Sequence, residues 1–582
     1  MRTFYVSPTG SDSAAGTGTA PWRTLQHAAE TVRAGDLVIV RAGRYAGFDL
    51  RISGTSANPI EFRAEAGVIV DTPNPETPNH GINLEGASWV VIEGFTVTGM
   101  PRAGIRAVLN EHVTIRGNTM DANGYWGFLS GFSDDLLIED NETSRSQVEH
   151  GIYVSNSGDR PTIRRNHVWG NRANGIHMNG DVSLGGDGII SGALVERNII
   201  HDNGAAGGSA INADGVQGSR FRNNVIYGNH AGGIALYRID GGGGSSGNAV
   251  AHNTIVQASD ARWALNITGG STGNSVFNNI LYTTHSFRGS ITVSPDSRPG
   301  LVSDWNVVMD RFSIDDGDSR VTLAQWRAST GQDMHSLIAV PADLFVYPAG
   351  NDFHLTPTSP ARDAGLTLAD VTEDADGVTR PSGPGADIGA YEIAVAAFTL
   401  TVARRGSAAG TVTSNPAGLE CGATCTAGFG AGGAVTLTAT PADRAAFARW
   451  GGACTGTTQQ CTVTMTQSLD VTATFAAVFT DAAIVPGATP IRAAHVAELR
   501  TAIDALRAAR GMAAFPWTDA PLVPGATPVL AVHLVELRSA LGSVYAADGL
   551  TPPDWGPPPS ARTTPIAATH IEQVRAAIRM VE

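Results

Sequence analysis

Between about residues 75 and 285 the chain repeats a unit of roughly two dozen residues, and this repeat constrains the fold more than any other feature. Each copy carries a short G-I-x-aliphatic strand followed by an aliphatic-x-x-N step. The strands read HGINL at His80–Leu84, AGIRA at Ala103–Ala107, WGFLS at Trp126–Ser130 and HGIYV at His150–Val154. They continue as NGIHM at Asn174–Met178, AINAD at Ala210–Asp214 and GIALY at Gly233–Tyr237. The asparagines fall at Asn118, Asn141, Asn166, Asn198, Asn224, Asn253 and Asn278. A fixed period of this length means a solenoid, whose units bury apolar faces only against their neighbours. The units hold alternating strands and no helix-length apolar stripe, so the solenoid is a β-helix.

Strand alternation predicts which side chains face outward. Ile152, Val154, Ile176, Met178, Ile211, Ala213, Ile234 and Leu236 point into the core. Coils stack at about 4.8 Å, the inter-strand spacing of a sheet. Arg106, Tyr153, His177 and Asn212 then form one outward column, and Ser155, Asn179, Asp214 and Tyr237 the next. The recurrent asparagines suit sharp turns with a left-handed backbone and stack as structural amide ladders.

The chain has 582 residues, too many for one ordinary domain, and 69 glycines with only 16% charged residues suit a turn-rich β protein. No run of 18 apolar residues predicts a membrane span, and a net charge of −15 argues against a nucleic-acid partner. All four cysteines fall within Cys421–Cys461, spaced poorly for zinc and without an interleaved histidine. Two disulfides in an extracellular module are expected. No apolar leader precedes the first strand, so a secreted or surface location implies a leader already removed. Every one of the 39 basic residues is arginine, so no lysine can serve as a base.

The N-terminal segment carries FYVSPTGSD, then Trp22–Arg33 with Leu25, Ala28, Ala29 and Val32 at helical spacing, then Leu37–Val40 and RAGRY. With DFHLTPTSPARDAG at Asp352–Gly365 and ADIGAYE at Ala386–Glu392, these motifs resemble the right-handed parallel β-helix proteins of the pectate-lyase-like superfamily. The resemblance covers about residues 3–392 and implies a capping helix over the first coil. Residues 397–476, with Trp450-Gly451-Gly452 and the cysteines, resemble the divergent internalin-type B-repeat of bacterial surface and secreted proteins. Residues 479–582 hold a further repeat. Thr489-Pro490, Thr527-Pro528 and Thr564-Pro565 read as helix starts, and His495, His533 and His570 recur with Glu498, Glu536 and Gln573 on one helical face. A structural or docking role fits these better than metal binding, and similar repeats end other secreted bacterial proteins.

The expected organisation is therefore mainly β. A β-helix over 1–395 with an N-terminal helical cap precedes a disulfide-bonded β module over 397–476 and a helical repeat tail over 479–582. The resembled superfamily binds acidic polysaccharides along the outer face of the G-I strand sheet. Polar residues concentrate there on the coils from His150 to Asp240, beside the long insertion Asp181–Gly208. Cleavage of a uronate chain by β-elimination needs carboxylate neutralisation, a base and an acid. Tyr153 and His177 are the expected acid and base, with His150 beside them and Arg238 holding the carboxylate. Arg106, Asn179, Asn212 and Tyr237 are expected to bind substrate, and Asp181, Asp187 and Asp214 to offer oxygen ligands to calcium. Lysine-based mechanisms of the resembled lyases cannot be carried over. A hydrolase, with Asp214 and Asp181 or Asp240 as its carboxylates, an epimerase, and a non-catalytic glycan-binding surface protein are the alternatives. The chain is expected to act as a monomer, its C-terminal modules engaging a cell-surface component.

Overall fold

The computed structural model describes residues 2–582 except 396, 423–424, 524–525, 558 and 560–565. The chain divides into two compact units, Met1–Ala394 and Val395–Glu582.

The first unit is a right-handed parallel β-helix. Its strands form two 12-stranded sheets and one 11-stranded sheet, each joined strand to strand by the next coil. The G-I strands make the 11-stranded sheet, called here the site sheet. Ile152, Ile176, Ile211 and Ile234 are paired in register along it and are fully buried. Each fully buried Ile or Val stabilises by about 1.5–3 kcal/mol relative to exposure. That gain exists only where a neighbouring coil supplies the contact, so no coil has a core of its own. The helix Leu25–Thr31 buries Leu25, Ala28 and Ala29, and its Gln26 accepts a 2.8 Å bond from the Asp49 N–H on the terminal strand of the site sheet.

The asparagine ladder forms, with one shift from the expected register. Asn198 donates to the Ile163 carbonyl and to Asn224 Oδ1, while its own Oδ1 accepts from the N–H and amide of Asn166. The left-handed residue is the one before each ladder asparagine, as at Asp140, Arg165, Arg197 and Asn223. In the Asn278-Asn279 pair, Asn278 therefore takes the left-handed turn (φ 57°) and Asn279 joins the ladder. The amide must lie inside the coil to reach carbonyls on neighbouring turns, which excludes it from the turn position itself.

In the second unit, strands between Ala397 and Ala477 form two four-stranded sheets around Leu400, Val412, Trp450 and Phe475, with disulfides Cys421–Cys425 and Cys454–Cys461. Three helices follow, Ala493–Ala508, Ala531–Ala547 and Ala568–Met580. They begin later than the Thr-Pro pairs suggest. Thr489 and Thr527 instead accept from the N–H groups of Val485 and Val523, closing a turn. Thr564-Pro565 lies outside the described residues. The histidine ring does the capping: His495, His533 and His570 Nδ1 accept from the N–H groups of Arg492, Leu530 and Ala567. In the first two repeats the other ring nitrogen faces Asp481 or Asp519. An arginine of each repeat then lies over an aromatic ring of another: Arg500 over Trp517, Arg538 over Trp555 and Arg575 over Phe479.

Candidate active site

The outward columns pair as the strand alternation predicts. Leu129, Tyr153, His177, Asn212, Ala235 and Asn266 follow one another along the site sheet, and Gly131, Ser155, Asn179, Asp214 and Tyr237 run beside them. The Tyr153 and His177 rings stack with centroids 5.0 Å apart, and His150 meets both edge-on at 5.1 and 4.7 Å. The insertion after Asp181 is tied to the turn after Tyr237 by Val182 N–H to Asp240 O and Gly242 N–H to Gly188 O. These two segments wall the second column, and Asn179 and Asp214 are consequently buried although they face outward.

Hydrogen bonding sets the state of the histidines. His150 Nδ1 faces the backbone N–H of Asn174 at 3.3 Å and is therefore an acceptor. Neutral His150 carries its proton on Nε2, which lies 3.0 Å from His177 Nδ1. His177 Nδ1 must then accept, so the His177 proton sits on Nε2. That atom is buried and has no partner among the described residues, and the same is true of Asn179 Oδ1. Burial holds His177 down to about 4 and, with His177 beside it, holds His150 well below its ordinary value. Burial also raises the Tyr153 phenol, with Glu149, Asp181 and Asp240 adding to the effect. Tyr153 and His177 thus both present protons at neutral pH. In this tautomer His177 is a donor where a base was expected: its free nitrogen carries the hydrogen, and the lone pair faces His150. Two carboxylates reach the pair through one intermediary: Asp240, since Asn179 Nδ2 lies 3.4 Å from both Tyr153 OH and Asp240 Oδ2, and Glu149, whose Oε2 lies 3.5 Å from His150 Nε2.

A cleft of about 520 Å³ continues along the same sheet. Its floor is low because Gly232 and Ala235 occupy the places where earlier coils carry larger side chains, and Asn212, Tyr237, Trp263 and Asn266 line it. Asn212 donates a 3.0 Å bond to Tyr237 OH, which fixes both expected binding residues at the cleft. Arg262 and Arg288 also line it. Residue order alone hides them, because they lie in connections outside the repeated strand motif.

Three expected placements change. Arg106 is two coils from Tyr153 and bonds Asn83 and Glu85, so its guanidinium is committed away from the cleft. Arg238 is exposed with Nε on the Gly241 carbonyl, and it does not line the cleft although its neighbours Tyr237 and Ile239 do. Asp181, Asp187 and Asp214, the expected calcium ligands, are each engaged in a turn. Asp214 accepts from three successive backbone N–H groups, Ile239, Asp240 and Gly241, and so shapes the turn beside the cleft. Asp181 accepts from Ser183 and Asp187 from Ile189 N–H, each closing its own turn. Among the described residues no group of three or more His, Cys, Asp or Glu is placed to hold a metal ion.

The buried imidazoles predict acid lability. Unfolded histidine titrates near 6.5, whereas folded His177 and His80 resist protonation until about 4. Between those values the unfolded chain binds more protons, so stability rises with pH across the window. The melting temperature of the β-helix is expected to fall as pH drops from 6.5 towards 4, and His252, buried and also held well below its ordinary value, adds to the slope. His354, raised by Asp376 and Asp352 against the opposing effect of burial, works in the opposite sense. A melting temperature that stays level through that range would show that the imidazoles ionise in place.

Comparison with known proteins agrees with the fold. Residues 4–132 match the Pel9A-like right-handed β-helix region, and residues 80–255 and 148–297 match the right-handed β-helix region family. Residues 400–479 match the divergent InlB B-repeat domain. Among curated proteins, the uncharacterised protein YwoF of Bacillus subtilis (strain 168) is 34% identical over 146 residues, 24% of this chain and 28% of that protein. Pectate lyase PEL9 of Emericella nidulans is 36% identical over 87 residues, 14% of this chain and 21% of that one. The chain thus spans about a quarter of the length of these relatives. Solved structures of similar fold include pectate lyase Pel9A (16% identity, TM-score 0.46, covering 67% of this chain and 96% of that one). A rhamnogalacturonan lyase is also similar (18% identity, TM-score 0.40, covering 50% and 84%). The Pel9A-like match ends at residue 132, before Tyr153, so it bears on the scaffold and not on the cleft. The chain thus carries matches to right-handed β-helix region models from residue 4 to residue 297, Pel9A-like in the first part, and a match to the divergent InlB B-repeat domain over residues 400–479.

Proposed function

We propose that the β-helix is a polysaccharide lyase that cleaves a uronate-containing chain by β-elimination beside Tyr153 and His177. The observation that carries this reading is the buried, unpartnered Nε2–H of His177, stacked on Tyr153 one coil from the Asn212 that lines the cleft. A buried donor without a partner costs free energy unless a ligand satisfies it.

In this reading the His177 Nε2–H bonds the uronate carboxylate and draws charge onto it, which acidifies the adjacent C–H. Asp240 takes that proton. The Tyr153 phenol, kept protonated by burial, gives its proton to the departing glycosidic oxygen. One C–O bond breaks, one C=C bond forms, and Tyr153 recovers a proton from Asp240 by way of solvent. The Pel9A-like scaffold supports a polysaccharide substrate, and the two disulfides support an extracellular location. Hydrolysis is the second reading, because the Val182 N–H bond to the Asp240 carbonyl brings together the segments that carry Asp181 and Asp240.

The full chain, incubated with pectate, alginate, hyaluronan and chondroitin with calcium added or chelated, is expected to generate the ultraviolet absorbance of an unsaturated uronide on one of them. New reducing ends without that absorbance would replace elimination by hydrolysis. Inverted C5 configuration without cleavage would replace it by epimerisation. Binding with no chemistry at all would leave a glycan-binding protein.

A further inference from the structure

We infer that Arg262 and Arg288 form a carboxylate-binding subsite that selects an anionic sugar at the part of the cleft beyond Asn212; this rests on the cleft holding an oligosaccharide. Each arginine stands three positions ahead of a core residue, Leu265 or Ile291, and these two pair in register. The arginines therefore occupy equivalent places on successive coils, with backbones about 4.8 Å apart. The two preceding coils carry Gly208 and Ala231 at the same place, ahead of the paired Ile211 and Ile234. The wall is thus vacant over the recess and charged just past it. Arg262 reaches back towards that recess, since its Nη2 lies 3.9 Å from where a Cβ on Gly207 would stand.

These two stacked cations have no ion-pair partner among the described residues. On a neighbouring sheet of the same β-helix, arginines alternate with acids: Arg63 and Arg116 meet Glu93, Arg164 meets Glu139 and Arg222 meets Glu196. Neither Arg262 nor Arg288 has a carboxylate within ion-pair reach among the described residues, although Asp316 lines the same cleft. Burial first, and the charge of Arg262 second, lower the Arg288 pKa, so an anion bound there would favour its charged form. An external anion removes the penalty. The planar guanidinium fork matches a carboxylate in two-point contact, and the neighbouring Trp263 and Asn266 supply an apolar surface and a polar group for the sugar that bears it. Subsites distributed in this way make the enzyme read charge on a sugar separate from the one being cleaved.

The test is direct binding to the full chain of tetragalacturonate, tetramannuronate and neutral xylotetraose, followed by calorimetry and by tryptophan fluorescence. At least one acidic tetramer is expected to bind about tenfold or more tightly than the neutral one, and Arg262→Gln and Arg288→Gln are each expected to lose about that factor. Both substitutions remove no internal partner, and circular dichroism checks that the fold is kept. Tyr153→Phe is expected to bind acidic tetramers as the wild type does, whatever its effect on turnover. Binding that depends on the arginines in a protein without lyase activity would sink the elimination mechanism and leave the subsite standing. Equal binding of acidic and neutral tetramers, no binding of either acidic one, or unchanged affinity in both glutamine variants would overturn the subsite.

Discussion

Tyr153→Phe is expected to reduce kcat on the cleaved polymer by about 10²–10⁴-fold with little change in KM. The substitution removes one oxygen and keeps the ring that stacks on Trp126 at 5.8 Å and on His177 at 5.0 Å. Packing is preserved, so a fall in rate reports proton transfer and not collapse of the site. His177→Gln provides the companion measurement. Its amide can still donate where Nε2–H did, so it is expected to retain more activity than His177→Ala, whereas a base would be lost equally in both. The pH dependence separates the roles further. Because burial holds His177 down to about 4 and its Nε2–H persists whether or not Nδ1 is protonated, no limb of kcat/KM is expected at the ordinary imidazole value. Full turnover in Tyr153→Phe would remove the phenol from the mechanism.

Asn198→Ala is expected to cost about 3–5 kcal/mol of stability. The amide donates to Ile163 O at 2.9 Å and Asn224 Oδ1 at 3.0 Å, and accepts from Asn166 N–H and Nδ2 at 2.9 and 3.0 Å. Alanine leaves a carbonyl and an N–H without partners at this fully buried position. The damage should be local, because a solenoid's stability is the sum of neighbouring contacts. Hydrogen exchange should therefore speed up first in the coils containing Ile163 and Asn224. A global melt at unchanged local protection would contradict that account.

The coil phase was legible in the residues because a period-2 strand set on a fixed repeat leaves only one way to bury Ile152, Ile176, Ile211 and Ile234 together. The same logic put Tyr153 beside His177 and Asp214 beside Tyr237. What the residues could not disclose was the state of a ring. His177 became a donor through a backbone N–H of Asn174, two residues before Ile176, acting on His150. Nor could they show that Asp214 is consumed by the turn at Ile239–Gly241, or that Arg238 turns to a carbonyl while Arg262 and Arg288 reach the cleft. Those outcomes depend on connections, whose lengths vary from coil to coil and follow no period. Asn278 was misplaced by a single residue for a related reason: two adjacent asparagines satisfy the same pattern, and only the left-handed turn distinguishes them.

The helical repeats at the end of the chain raise a question of number. Arg575 of the last repeat bonds the carbonyls of Thr480 and Asp481 and covers Phe479, all from the first. An open array could be lengthened by copying a unit, as spacers commonly are. Here a duplicated unit would find its clasp already taken, and a deleted one would leave an aromatic ring uncovered. The tail is a loop of three that evolution can exchange whole but not easily count up or down.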